Sequence, residues 1–234
     1  MLLGSVFERF VNDSPVSVMM RGTLEHALRP ADLDRLFTEA AQQQYTRELL
    51  FSSVVDLMAL VVCRIRPSVH AAYQAHPEKL GVSVRAVYDK LGHMEPGLCS
   101  ALVKHTAGRL LPVLRRLRGG LPKLLPGYRA KVLDGNHLAA TEHRLQELRR
   151  LAAGPLPGHA LVVLDPEWML VTDVLCCEDG HAQERALLGE VLPLVRPREA
   201  WIADRNFCTT DFLFGIAARR AYFVIRQHAQ TLDW

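Results

Sequence analysis

Apolar positions recur along this chain with two different periods, and the change falls near residue 129. Before it the spacing is helical. Residues 1–20 read as a loose lead-in containing Pro15, and helical patterning begins at Thr23. Pro30 opens a helix in which Leu33, Leu36, Phe37 and Ala40 share one face, with Asp32 and Asp34 in the first turn. Further helices are expected over 46–65, ending before Pro67, and over 68–75. Over 78–91, Gly81 precedes Ser83, an N-cap type, and Val84, Val87, Tyr88 and Leu91 form one helical face. A glycine turn followed by a capped helix is the pattern of a helix-turn-helix. A last helix is expected over 97–117. Beyond 129 come short runs rich in Val, Ile and Leu, which read as strands over 129–134, 160–165, 169–176, 200–204 and 221–227. Helices are expected between them over 141–151, 180–192 and 210–219, the last capped by Thr209. Gly119-Gly120, Pro122 and Pro126-Gly127 punctuate the change. The chain therefore divides into an all-α region, 1–122, and an α/β region with a mixed sheet, 123–234.

Composition adds little until charge is placed along the chain. At 234 residues and 49% hydrophobic, the sequence is that of a globular protein with an adequate core. No apolar run reaches the ~20 residues needed to span a bilayer, and the first residues lack a basic, then apolar, leader pattern. A cytoplasmic protein is the reading, with no membrane partner. The five cysteines follow neither a disulfide framework nor a zinc pattern. Adjacent Cys176 and Cys177 read as small apolar fillers on a strand. Net charge is +3, yet residues 1–129 carry 17 basic against 11 acidic side chains, and 130–234 carry 11 against 14. No acidic residue lies between Glu95 and Asp134. Lys104, Arg109, Arg115, Arg116, Arg118, Lys123, Arg129 and Lys131 fill that stretch, a composition suited to nucleic-acid phosphates. Arg85 and Lys90 on the expected recognition helix, and Arg205, join these as candidate DNA contacts.

The residues with the clearest chemistry are Asp134 and Asp204. Each closes an apolar run that reads as a buried strand, so each is expected at a sheet edge where α/β proteins place their sites. Two carboxylates there suit a divalent cation, and paired ions drive in-line attack on phosphodiesters. The bland alternative for each is a turn or cap after a strand. Asn136, Arg205 and Asn206 flank them and could orient a carboxylate or meet a phosphate. Glu178, Asp179, His181 and Glu184 cluster, but a helix start accounts for them. Asp165 and Asp173 read as turn and edge residues, and Asp211 as a first-turn helix residue. The orientations of His137 and His143 are open. Nucleophile elbows and Gly-rich phosphate loops are absent.

The order of elements is similar to the ribonuclease-H-like fold, which carries catalytic aspartates on its first and fourth strands. Asp134-Gly135-Asn136, Leu156-Pro157-Gly158, the run 178–185 (EDGHAQER) and the run 201–209 (WIADRNFCT) together resemble transposases of the insertion-sequence 4 type. The resemblance covers roughly 125–230 well and the helical region less specifically. It implies an acid-triad DNA recombinase that cleaves transposon ends and joins them to target DNA. Asp134 and Asp204 would be catalytic ligands of Mg2+ or Mn2+. The partners implied are DNA and a second copy of the chain, in a bacterial, nucleoid-associated setting. The family's third acidic residue lies on a later helix in a Tyr…Arg…Glu…Lys motif, and nothing after residue 221 matches it. The chain thus reads as a C-terminally truncated transposase of little or no activity, with an incomplete catalytic sheet. Two alternatives stand beside it: a non-catalytic DNA-binding remnant, and a structure-selective nuclease using Asp211 or Asp233 as a further ligand.

Overall fold

Proline starts two successive helices, α1 (Pro15–Ala27) and α2 (Pro30–Ala40). The first position of a helix has no use for an N–H, so proline suits it. That is why the loose lead-in expected through residue 20 is instead helical from residue 15. This computed structural model describes residues 13–44, 48–75, 77–137, 159–177 and 183–227. The expected helix over 141–151, the loop 154–158, and Glu178, Asp179, His181 and Asp233 lie outside them.

The chain divides into two compact units, Met1–Glu39 with Thr46–Val87, and Ala40–Tyr45 with Tyr88–Trp234. In the first, α2 is followed by α3 (Phe51–Val62), α4 (Val69–Ala75), α5 (Pro77–Leu80) and the start of α6 (Val84–Gly92). Its buried positions include Leu33, Phe37, Phe51, Val54, Leu57, Ala72 and Val87. Phe37 and Phe51 stack at 5.4 Å between ring centroids. Asp34 accepts from Ser52 N and Ser52 Oγ, both at 2.9 Å, and so satisfies donors at the start of α3. Ser83 Oγ accepts from Ala86 N at 3.3 Å, the expected cap. Tyr88, expected on the apolar face of α6, is half exposed.

The second unit holds α7 (Pro96–Arg116) and a five-stranded mixed sheet. Its strands are β1 (Arg129–His137), β2 (His159–Asp165), β3 (Leu170–Cys177), β4 (Glu199–Ala203) and β5 (Tyr222–Ile225), in the order β3-β2-β1-β4-β5. β1 pairs antiparallel with β2 and parallel with β4; β3 is antiparallel to β2, and β5 parallel to β4. Helix α7 packs along β3, an edge strand of the sheet. Glu95, just ahead of α7, accepts from the backbone N–H groups of Gln42, Gln43 and Gln44 at 2.8–3.0 Å, and this ties residues 42–44 to the second unit. Partial desolvation works upward on its carboxyl, but those three donors hold it below the usual carboxylate range.

The sheet buries one face. Leu133, Leu161, Val163 and Trp201 point into a core with Leu187, Leu188, Val191, Phe207, Phe212 and Ile216. The last six come from the helical segment Glu184–Leu194, whose central turn is α8 (Leu188–Val191), from the turn Arg205–Phe207, and from α9 (Thr210–Ala218). Thr209 precedes α9 without the expected side-chain cap bond. On the opposite face Val132, Val162, Leu164 and Ile202 are half-buried, while Val171, Tyr222 and Val224 are exposed. Among the described residues no helix is long and apolar enough to cross a membrane.

One buried ion-pair cluster locks the first two strands. Asp165, at the end of β2, is 1% exposed. Its Oδ2 accepts from Arg129 Nη2 at 2.9 Å and from Lys131 Nζ at 3.3 Å, while Oδ1 accepts from Glu167 N at 3.2 Å. So Asp165 is more than the turn residue its sequence position suggested: it compensates two cations on β1 and shapes the β2–β3 turn. Breaking a buried pair by removing one partner strands the other charge. Asp165→Ala is therefore expected to lower stability by about 3–5 kcal/mol, read as a shift in the urea midpoint at unchanged slope.

Candidate functional site at the end of the parallel pairing

The parallel register between β1 and β4 runs Lys131 opposite Trp201, Val132 opposite Ile202 and Leu133 opposite Ala203. One residue further stand Asp134 and Asp204. Leu133 and Ala203 face the core, so alternation turns the next residue of each strand to the other face. Neighbouring strands are about 4.8 Å apart, and both aspartates are exposed. Both aspartates thus stand one residue beyond the last β1–β4 pair, and one strand end differs from the sequence expectation. β1 does not end at Asp134; it continues to His137, because β2 still pairs with it there. β4 leaves the sheet at Ala203, and the site sits where that parallel partner departs.

Each aspartate is held by backbone close by. Asp134 Oδ1 accepts from Gly135 N at 2.9 Å. Asp204 is the N-cap of the turn Arg205–Phe207, its Oδ1 accepting from Asn206 N at 2.8 Å. The cap expected as the bland alternative for Asp204 is thus present, and its Oδ2 remains for other work.

A second group of residues meets on the core side of the same edge. Asn206 Nδ2 donates to Glu184 Oε2 at 2.8 Å. Arg185 Nε donates to Asn206 O at 2.7 Å and to Asn206 Oδ1 at 3.2 Å. The Glu184 carboxylate lies directly over the Cα of Gly135, in space that a Cβ would occupy. Sequence reasoning took Glu184 as a helix-start residue and gave Arg185 no role. The signal that relates them was the recurrence of Gly135, Glu184-Arg185 and Asn206 within three separate motifs, which meet here in space.

The donor chemistry suits a hard divalent cation. Mg2+ is commonly held by one or two carboxylates, with waters and substrate phosphates completing its shell. Among the described residues, however, no group of three His, Cys, Asp or Glu side chains is arranged to hold a metal ion. Asp211 is exposed in the first turn of α9, as expected for a favourable helix-start charge.

The candidate DNA contacts do not form one stripe. Lys104, Arg109, Arg115 and Arg116 all lie on α7. At 3.6 residues per turn, Lys104 and Arg115 share one side, while Arg109 and Arg116 lie roughly 120–140° away. Arg115 sits over the Trp168 ring at 5.9 Å. Lys104 is exposed beside a cavity of about 260 Å³ that also takes in Lys131, Asp165 and Trp201. Arg116, Arg118, Lys123 and Arg205 are exposed, as is Arg85 on α6. Lys90, also on α6, is half-buried, and burial pushes its ammonium pKa down. Arg129 and Lys131 belong to the Asp165 cluster; Arg129 is half exposed but Lys131 is 6% exposed, so the exposed basic run stops at the first residue of β1.

Compared with known proteins, the chain matches no family model and no curated sequence. The geometry therefore carries the functional argument.

Gly135 is the most sharply constrained residue of this edge. Gly135→Ala is expected to push the Glu184 carboxylate, the movable end of a flexible side chain, off its seat, at a cost of ~1 kcal/mol, the low end for overpacking. In Gly135→Ala/Glu184→Ala the two losses should fall short of additivity by at least ~0.5 kcal/mol, since the collision has been removed. Additive losses in denaturant unfolding would place the cause elsewhere.

Proposed function

We propose that this chain is a metal-dependent DNA transposase of the acid-triad type, in which Asp134 and Asp204 hold a divalent cation against a DNA phosphate. The observation that carries the reading is the β1–β4 register, whose last pair, Leu133 with Ala203, immediately precedes Asp134 and Asp204. The sheet order β3-β2-β1-β4-β5, with β2 alone reversed, Asp134 on β1 and Asp204 just past the end of the adjacent β4, also supports a ribonuclease-H-like fold. So does the meeting of the motif residues Gly135, Glu184 and Asn206 at that edge.

When bound, Mg2+ or Mn2+ supplies activation of a hydroxyl nucleophile and stabilisation of the leaving oxygen. The chain's residues do the rest. Asp134 and Asp204 present hard oxygen donors from backbone fixed by the sheet. Arg205, next to Asp204 and exposed, is placed to meet a phosphate oxygen. The basic side chains of α7 and the segment after it supply attraction without sequence readout. Sequence recognition falls to α6 and Arg85. A second copy of the chain brings two DNA ends together.

A second reading, DNA binding without catalysis, is favoured by the lack of a third metal-ligating side chain among the described residues. Both readings require DNA affinity that falls steeply with salt. They part on supercoiled plasmid in Mn2+. Transposase chemistry predicts slow, metal-dependent nicking by the 234-residue chain, lost at least tenfold in Asp134→Ala and in Asp204→Ala with DNA affinity retained. Binding with no nicking, and with no Mn2+ uptake that depends on Asp134 and Asp204, selects the second reading. Nicking that survives both substitutions contradicts the assignment of the site.

A further inference from the structure

Asn206 makes four contacts that together join two separate stretches of sequence, 184–185 and 204–206. Its N–H donates to Asp204 Oδ1, and its amide Nδ2 donates to Glu184 Oε2, each at 2.8 Å. Its carbonyl and its Oδ1 both accept from Arg185 Nε, at 2.7 and 3.2 Å. Both hydrogen-bonding atoms of its side chain are therefore used, and its backbone is held on both sides. Glu184 is in turn seated over Gly135, whose own N–H donates to Asp134 Oδ1 at 2.9 Å. The two carboxylates on the open face are thus connected through a bracket on the core side: Asp134 to Gly135, Gly135 to Glu184, Glu184 to Asn206, Asn206 to Asp204.

We propose that Glu184 and Arg185 are positioning residues for the metal site: acting through Asn206, they set the orientation of the Asp204 carboxylate relative to Asp134. The proposal rests on the reading that these aspartates bind a cation, and it extends that reading to residues on the far face of the sheet. The need for such a bracket follows from the fold. Asp204 has left β4, so the sheet ladder no longer fixes it, and the turn that carries it is only three residues long. Mg2+ demands near-ideal octahedral geometry, so a carboxylate on an unbraced turn would hold it poorly. Groups that orient a ligand typically alter metal affinity 10–100-fold when removed. Glu184 does not need its negative charge for this task. It needs an oxygen acceptor over Gly135 facing Asn206 Nδ2, which a glutamine also provides.

The test compares Glu184→Ala, Arg185→Ala and Glu184→Gln with the parent chain by two readouts. The first needs no metal: the 15N-labelled amide of Asn206, whose shift and hydrogen-exchange protection report its bond to Asp204. Glu184→Ala and Arg185→Ala should move this resonance and lower its protection at least tenfold, while Glu184→Gln stays near the parent. The second is Mn2+ affinity by calorimetry, expected to fall 10–100-fold in the two alanine variants and to change less than threefold in Glu184→Gln. An Asn206 amide unchanged in both alanine variants overturns the positioning role whatever the metal does. A perturbed amide with unchanged Mn2+ affinity also overturns it, because the bracket would then be structural alone. If the parent chain binds no Mn2+ while the amide responds as expected, the metal reading fails and Glu184 and Arg185 stand as positioning Asp204 for another role.

Discussion

The parallel pairing of β1 with β4 is the constraint from which the rest of the site follows. These strands are distant in sequence, and nothing local to either aspartate brings the two together. The pairing is held from below by the core that Leu133 and Trp201 share with Phe207, Phe212 and Ile216. At the other end of the sheet it is held by the Asp165 cluster, which fixes Arg129 and Lys131 on β1. Glu199, buried at the start of β4, is satisfied in the same region by Arg196 N at 2.9 Å and Trp201 Nε1 at 3.1 Å. Among the described residues the buried charges Lys131, Asp165 and Glu199 lie at the end of the sheet that anchors the register, while Asp134 and Asp204 at the other end are exposed. Burial at the first end strengthens each ion-pair contact, whereas exposure at the second leaves Asp134 and Asp204 open to a cation and its waters.

Much of this was legible in the sequence because the signals were periodic. Short runs of Val, Leu and Ile separated by Gly and Pro gave all five strands, and the helical spacing of Leu33 and Phe37 gave α2. The aspartates were found because each ended an apolar run. What sequence reasoning missed depended on contacts between distant residues. Lys131 sits in an unbroken basic stretch, and no local pattern says that Asp165 lies beside it across the β1–β2 pair. Pro15 was taken as a loop residue when it starts a helix, since proline serves both. The strand β1 outlasts Asp134 because β2 remains its partner, a fact of pairing that is invisible from β1 alone. Glu184 was read as a helix-start charge because its contacts, Gly135 and Asn206, lie far away in sequence.

The same comparison explains the role of glycine in the Asp134-Gly135-Asn136 motif. A glycine between two polar residues after a strand reads as a turn. Here it lies inside a strand, and its value is the absence of a side chain where the Glu184 carboxylate sits. The motif thus sets a close packing contact and an exposed carboxylate in adjacent residues, one on each face of the sheet. That arrangement links the core side, where Glu184, Arg185 and Asn206 are bonded together, to the open side, where the two aspartates project.

The central claim is that Asp134 and Asp204 share one cation. It is tested most directly by titrating Mn2+ into the parent chain, Asp134→Ala, Asp204→Ala and the double variant, following bound metal by electron paramagnetic resonance. A shared site predicts a bound Mn2+ whose affinity falls at least tenfold in either single variant, with the double variant little worse than either, because one site has been lost twice. Affinity unchanged by either substitution, or two small independent losses that add, would contradict it.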